Sequence, residues 1–228
     1  MEKKNAWDKY PSNKREEIFA FAEAYRSFIS DCKTERECVD YIVNAAEAAG
    51  YRELQEIIKE GGSLKKGDKV YSVWMNKSVV LFHIGEEKME KGMNILGAHI
   101  DSPRLDVKQN PLYEDKEMAY CKTHYYGGIK KYQWTTIPLA LHGLVVLQDG
   151  TSVSVRIGED PGDPQFTVGD LLPHLAADQM QKPAGKIIEG EQLNVILGTE
   201  PLEGEGSDLV KLNIMRLLNE KYGITEKD

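Results

Sequence analysis

The chain has 228 residues, 41% of them hydrophobic and 29% charged, which suits one large domain or two small ones. A net charge of -8 argues against a polyanion as the main partner. Nucleic-acid binders carry a basic stripe, and the short clusters Lys65-Lys66 and Lys130-Lys131 read as solvated loop charge.

The opening residues, "MEKKNAWDKYPSNKREE", lack the apolar core of a secretory leader. The uncharged run from Gln133 towards Asp149 is interrupted by Pro138, His142 and Gly143, and it is too short to cross a bilayer. Cys32, Cys38 and Cys121 show no CxxC spacing, so they read as reduced thiols. The expectation is a cytoplasmic protein with no membrane and no nucleic-acid partner.

In chain order, Ile18, Phe21, Tyr25, Phe28 and Ile29 recur at helical spacing and predict a helix over 14–31 with one apolar stripe. Thr34 followed by Glu37 is a capping-box signal that opens a second helix, about 35–49, closed by Gly50. A short helix over Leu54 to Lys59 follows. "KVYSVWM" and "SVVLFHI", separated by Asn76-Lys77, predict a β-hairpin. "MNILGAHI" is nearly continuous in apolar character and predicts a third strand, buried on both faces, with His99 at its carboxyl end. Helices followed by such strands open an α/β domain.

Beyond Pro103 the texture changes to a β-rich segment, about 105–200. Strand candidates "RLDVK", "MAYCKT", "LALHGLVVL" and "SVSVRI" alternate with turns such as Asp149-Gly150 and "EDPGDP". A last helix, Ser207 to Tyr222, sets Leu209, Leu212, Met215 and Leu218 on one side and ends at Gly223.

The chemistry gathers in "NILGAHIDSPRLDV". Residues i and i+2 of a strand share a face, so His99 and Asp101 point the same way if the strand reaches that far. Sites of α/β sheets sit at the carboxyl ends of strands. Imidazole is a good zinc donor, and a neighbouring carboxylate can orient the ring. His-x-Asp alone is a weak motif, and a core histidine beside a turn aspartate competes with it. His83 reads as structural, and His124 and His142 as strand or interface residues. Gly127 and Gly128 suit a tight turn, since no phosphate-loop spacing surrounds them. Tyr125, Tyr126 and Trp134 suit either a subunit interface or internal packing.

The longer blocks are more specific. "GAHIDSPRLDVKQNP", "THYYGGIKKYQW", "IPLALHGLV" and "DLLPHL", in that order after "NAWDKY", resemble the aspartyl aminopeptidase/aminopeptidase I family of dinuclear zinc metallopeptidases. The resemblance covers essentially the whole chain. It implies an α/β fold in which residues 1–104 are the first part of a catalytic domain. Residues 105–228 are then an inserted β-rich dimerisation domain with an amphipathic C-terminal helix.

It also implies His99 as a zinc ligand, Asp101 as the carboxylate that orients it, and two zinc ions in the complete site. His174, in "LLPHL", would reach a neighbouring subunit's site and hold the substrate carbonyl or oxyanion. Peptides with acidic N-terminal residues would be substrates, and the protein would be a homo-oligomer built through 105–228. The family's remaining ligands and its glutamate base follow the dimerisation domain and have no match here. The expectation is therefore an N-terminal portion, inactive alone. The alternative is a non-catalytic self-association module in which His99 is vestigial.

Overall fold

A computed structural model describes residues 5–228; the first four, part of the stretch searched for a leader, lie outside it. The chain divides into two compact units, one ending at Ser102 and the other Pro103–Asp228.

In the first unit, α1 (Ser12–Asp31) runs where the periodicity predicts, but buries none of its residues. After it, α2 (Glu35–Ala48) opens on the predicted capping box. The Thr34 hydroxyl accepts from the Glu37 N–H, and the Glu37 carboxylate accepts from the Thr34 N–H at 2.9 Å. Two backbone donors at the helix start are thereby satisfied. Gly50, at φ +85°, takes the left-handed position that ends this helix without a side-chain penalty.

Strand β1 (Arg52–Glu53) leads through α3 (Leu54–Lys59) to β2 (Lys69–Trp74), parallel to β1. β3 (Ser78–His83) then pairs antiparallel with β2. The hairpin turn places Met75 and Asn76 at φ +53° and +51°. The buried face of α2 supplies Val39 and Ala46, which share the unit's core with Ile57 and Val70. The Tyr71 hydroxyl donates to Glu47 at 2.6 Å. That bond, with burial, pushes the phenol up to about 12.

The predicted third strand is absent. From Gly92 to Pro103 the backbone pairs with no strand, and Leu96 is 100% exposed. A strand buried on both faces needs neighbours on each side, and no described strand pairs with this one. The expected burial fails with it, since residues 92–99 are exposed; apolar character alone does not supply the non-local pairing that makes a buried strand.

The second unit is the β-rich segment. β4 (Arg104–Asp115) and β5 (Met118–Tyr126) form a long hairpin, with Lys116 and Glu117 at φ +49° and +60° in the turn. β4 runs further than "RLDVK" suggested. Its register shifts between Val107 and Leu112, where Asn110 has φ +46° before Pro111. Proline cannot donate to a ladder, and a bulge lets the strand resume beyond it.

β6 (Leu141–Val146) and β7 (Ser152–Ile157) form the expected second hairpin. β8 (Thr167–Val168) and β9 (Val195–Gly198), unanticipated, extend the first sheet to the order β4-β5-β9-β8. After β8 comes the one-turn helix α4 (Ala177–Met180). The core collects Phe166, Val168, Leu193 and Val195, with Tyr125 and Trp134 packed against it. Two of the three aromatics left open between interface and interior therefore face inward, while Tyr126 is partly exposed. Gly190 admits Tyr125 to this core: a Cβ there would lie 2.9 Å from the Tyr125 ring.

Helix α5 (Leu209–Tyr222) ends at Gly223 as predicted, but its buried side differs. Val210 and Asn213 are buried, with Leu218 against the core, while Leu212 is exposed. The Asn213 side chain donates to the Glu200 carbonyl, so a polar residue occupies a core position with its bond made. The helix start is held from β4: the Glu114 carboxylate accepts from the Val210 and Lys211 N–H groups, both at 2.9 Å. Those are two of the four donors a helix leaves open. Glu114→Ala is expected to cost about 1–2 kcal/mol in urea denaturation, the scale of a lost helix cap with a charged acceptor. Glu114→Gln, which keeps one acceptor oxygen, should cost less.

Candidate functional site

His99 and Asp101 lie in the unpaired stretch that precedes β4, not at the end of a strand. They nevertheless meet as the spacing suggested. His99 Nδ1 is 3.1 Å from Asp101 Oδ1 and 3.0 Å from the Asp101 carbonyl oxygen. Both partners are acceptors, so in the neutral ring this geometry assigns the proton to Nδ1 and the lone pair to Nε2. The ring is 84% exposed, with Nε2 as its remaining ligating nitrogen. A carboxylate on one ring nitrogen and a lone pair on the other is how a metal-bound histidine is commonly set.

This donor set fits one zinc ligand and its orienting partner. No cluster of three or more His, Cys, Asp or Glu able to hold a metal occurs among the described residues. Two clefts in the first unit, one lined by Asp40, Glu53 and Tyr71 and the other by Arg52, Lys65 and Lys69, include neither His99 nor Asp101.

The turn is tethered from behind. The Cys38 thiol, in the first turn of α2, donates to the Ile100 carbonyl at 3.7 Å, between the two residues of the motif. Cys32, just past the end of α1, donates to the Glu37 carbonyl at 3.5 Å. Both cysteines are buried and unpaired. Burial pushes the Cys32 thiol up to about 11, with the neighbouring Cys38 adding to it. Burial also raises Cys38. Nothing in the spacing of the cysteines announced the contact with Ile100, which spans 62 positions.

In the second unit, His174 sits in a single turn of 3-10 helix, Pro173–Leu175, and is exposed. Leu171, Leu172 and Leu175 around it are exposed as well. His142 contrasts with it: its side chain is 5% exposed and Nε2 is 3.0 Å from Glu159 Oε1. That is the satisfied strand histidine the sequence suggested, though its carboxylate partner carried no signal. His124, in β5, stacks on Tyr125, and His83 ends β3.

The fold of the chain, both units included, matches solved aminopeptidases. Over its whole length the chain matches the aminopeptidase structure from Thermotoga maritima with a TM-score of 0.91 at 43% identity, covering 48% of that chain. Aminopeptidase I from Clostridium acetobutylicum matches 99% of the chain at a TM-score of 0.86 and 54% identity, and half of it is covered.

The family model described as "Aminopeptidase I zinc metalloprotease (M18)" matches residues 28–228, and the chain belongs to this family. A probable M18 family aminopeptidase 1 of Clostridium acetobutylicum is 56% identical over all 228 residues, which cover 49% of that relative. The chain thus spans about half the length of the curated relatives it matches. No described helix is long and apolar enough to cross a membrane.

Proposed function

We propose that this chain is the leading portion of a cytoplasmic zinc metalloaminopeptidase that removes N-terminal residues, acidic ones among them, from peptides. The observation that carries the reading is the His99–Asp101 pair, whose carboxylate holds Nδ1 and leaves Nε2 for a metal. Membership of a family described as a zinc metalloprotease supports it. Zinc, when bound, supplies a Lewis acid at the scissile carbonyl.

In this reading residues 1–104 belong to the catalytic domain and 105–228 to a dimerisation domain. His99 is one ligand of a two-zinc site, Asp101 fixes its ring, and His174 donates to the carbonyl oxygen in a neighbouring subunit. The exposed leucines flanking His174 support self-association, since apolar groups without cover are what an interface buries. The alternative of a purely structural module loses ground to the family membership.

The test uses the intact protein. Aminoacyl nitroanilides with acidic and neutral first residues should be cleaved, and a chelator should stop the cleavage. The 228-residue chain alone should turn over none of them. Sedimentation of the intact protein should give a homo-oligomer that Leu172→Asp weakens. Chelator-resistant turnover, or a monomer at high micromolar concentration, would refute the corresponding half of the reading.

A further inference from the structure

We propose that the basic cleft of the first unit, lined by Arg52, Lys65 and Lys69, is a binding site for a phosphate group, carried on a small monoester or free. The cleft is built from the end of α2, from α3 and from the loop that leads into β2, and it offers about 550 Å³. Pockets for small molecules run from about 300 to 1,000 Å³, so a phosphate with an organic body has room. The apolar part of the lining is well anchored: Ile57 and Val70 are both buried.

Charge selects an anion. Three cations stand against one carboxylate, Asp68, in a chain whose net charge is -8. The other cleft of the unit has the opposite sign, with Asp40 and Glu53 and no basic residue. A cleft lined by one sign of charge focuses its field on a small ion. Asp68 is already engaged, since its carboxylate accepts from the Lys65 N–H at 2.8 Å. The Lys65 ammonium pairs with no described residue. Arg52 meets Glu60 at 3.2 Å, but both side chains are exposed, and a pair of that kind is worth little.

The loop is held in shape from both sides. The Gly67 N–H donates to the Ile84 carbonyl at 2.8 Å, and the Ile84 N–H donates to the Asp68 carbonyl at 2.9 Å. The Lys69 ammonium donates to the Ala49 carbonyl at 3.0 Å and lies 5.6 Å from the centre of the Tyr51 ring. Open donors remain. Ser63 and Leu64 make no hydrogen bond with any described residue, which leaves the Ser63 hydroxyl and two successive backbone N–H groups unused. Backbone N–H groups beside ammonium groups are the donors that phosphate sites use. Lys65 reads as solvated loop charge in the sequence because only the fold brings Arg52 into the same cleft. No residue of the His99–Asp101 turn takes part, so the proposal stands or falls apart from the metal reading.

The intact protein is titrated calorimetrically with adenosine 5′-monophosphate, inorganic phosphate and adenosine. The two phosphates should bind and adenosine should not. A tighter monophosphate makes the natural occupant an ester, while equal affinities make it the free anion. Backbone hydrogen exchange over 61–69 should slow when either phosphate is bound. Lys65→Gln should weaken binding about tenfold, the lower end of what a hydrogen bond to a charged group supplies, and Lys65→Arg should keep most of the affinity. Lys65 is exposed and its ammonium holds nothing else in place, so the fold should survive both changes. Lys77→Gln, in the turn between β2 and β3, should bind as the parent does. Failure of both phosphates to bind, adenosine binding as well as its monophosphate, or equal loss from Lys77→Gln overturns the proposal. So does undiminished binding by Lys65→Gln, the result that phosphate held on zinc would give.

Discussion

Replacing His99 by alanine in the intact protein is expected to reduce aminopeptidase turnover to background and to lower the bound zinc. A catalytic zinc needs about three protein ligands and an open position. Alanine removes a donor for which the described residues offer no substitute in a cluster of three. Asp101 acts one step further out. Its carboxylate sits 3.1 Å from His99 Nδ1, where it fixes which nitrogen is free. Asp101→Asn can accept the same proton but carries no charge, so it should retain more activity than Asp101→Ala. Losses of about 10–100-fold in metal affinity or activity are usual for such partners.

His174→Ala should behave differently, slowing kcat by about 10²–10³-fold, the range for a lost oxyanion donor, with metal content unchanged. Metal analysis beside kcat and KM separates the three cases. Full turnover by a zinc-loaded His99→Ala protein would end the assignment.

Leu193→Ala is expected to be the most damaging change to stability. Leu193 is 0% exposed, and among the fully buried side chains it is the largest by volume. Its carbonyl also accepts the buried Thr123 hydroxyl from β5, so it pins the sheet by backbone as well as by side chain. Truncation of a buried leucine costs about 2–5 kcal/mol, depending on how far the cavity collapses. A domain is stable by only about 5–15 kcal/mol, so the midpoint of denaturation should fall steeply. Ile58→Ala, exposed on α3, should stay within about 0.5 kcal/mol of the parent. Equal midpoints for the two variants would contradict the core described here.

Local signals were the ones legible in the sequence. Thr34 and Glu37 cap α2 as read, because a capping box is settled within four residues. The hairpin of β2 and β3 and the end of α5 at Gly223 were readable for the same reason. Longer reach defeated the reading. "MNILGAHI" has the apolar content of a buried strand, yet strand character depends on partners that periodicity cannot see. Thr167–Val168 is too short to show any alternation, so β8 passed unnoticed. On α5 the stripe through Leu209 and Leu212 competed with one through Val210 and Asn213. The second prevailed because the Asn213 amide finds the Glu200 carbonyl. At the candidate site the His99–Asp101 contact followed from a spacing of two. The Cys38 tether could not be read, since it joins positions 62 apart.

The bare stretch from Met93 to Leu96 has a colloidal consequence. Backbone that pairs with no strand among the described residues, carrying exposed Ile95 and Leu96, is a template onto which another chain can add as a strand. Association of that kind is open-ended, because each added strand presents a fresh edge. A symmetric interface saturates at a fixed number of copies. A preparation of the 228-residue chain would therefore have two ways to gain mass, and only one that stops at a whole-number stoichiometry would report on the self-association proposed around His174. The other would report on this exposed apolar backbone.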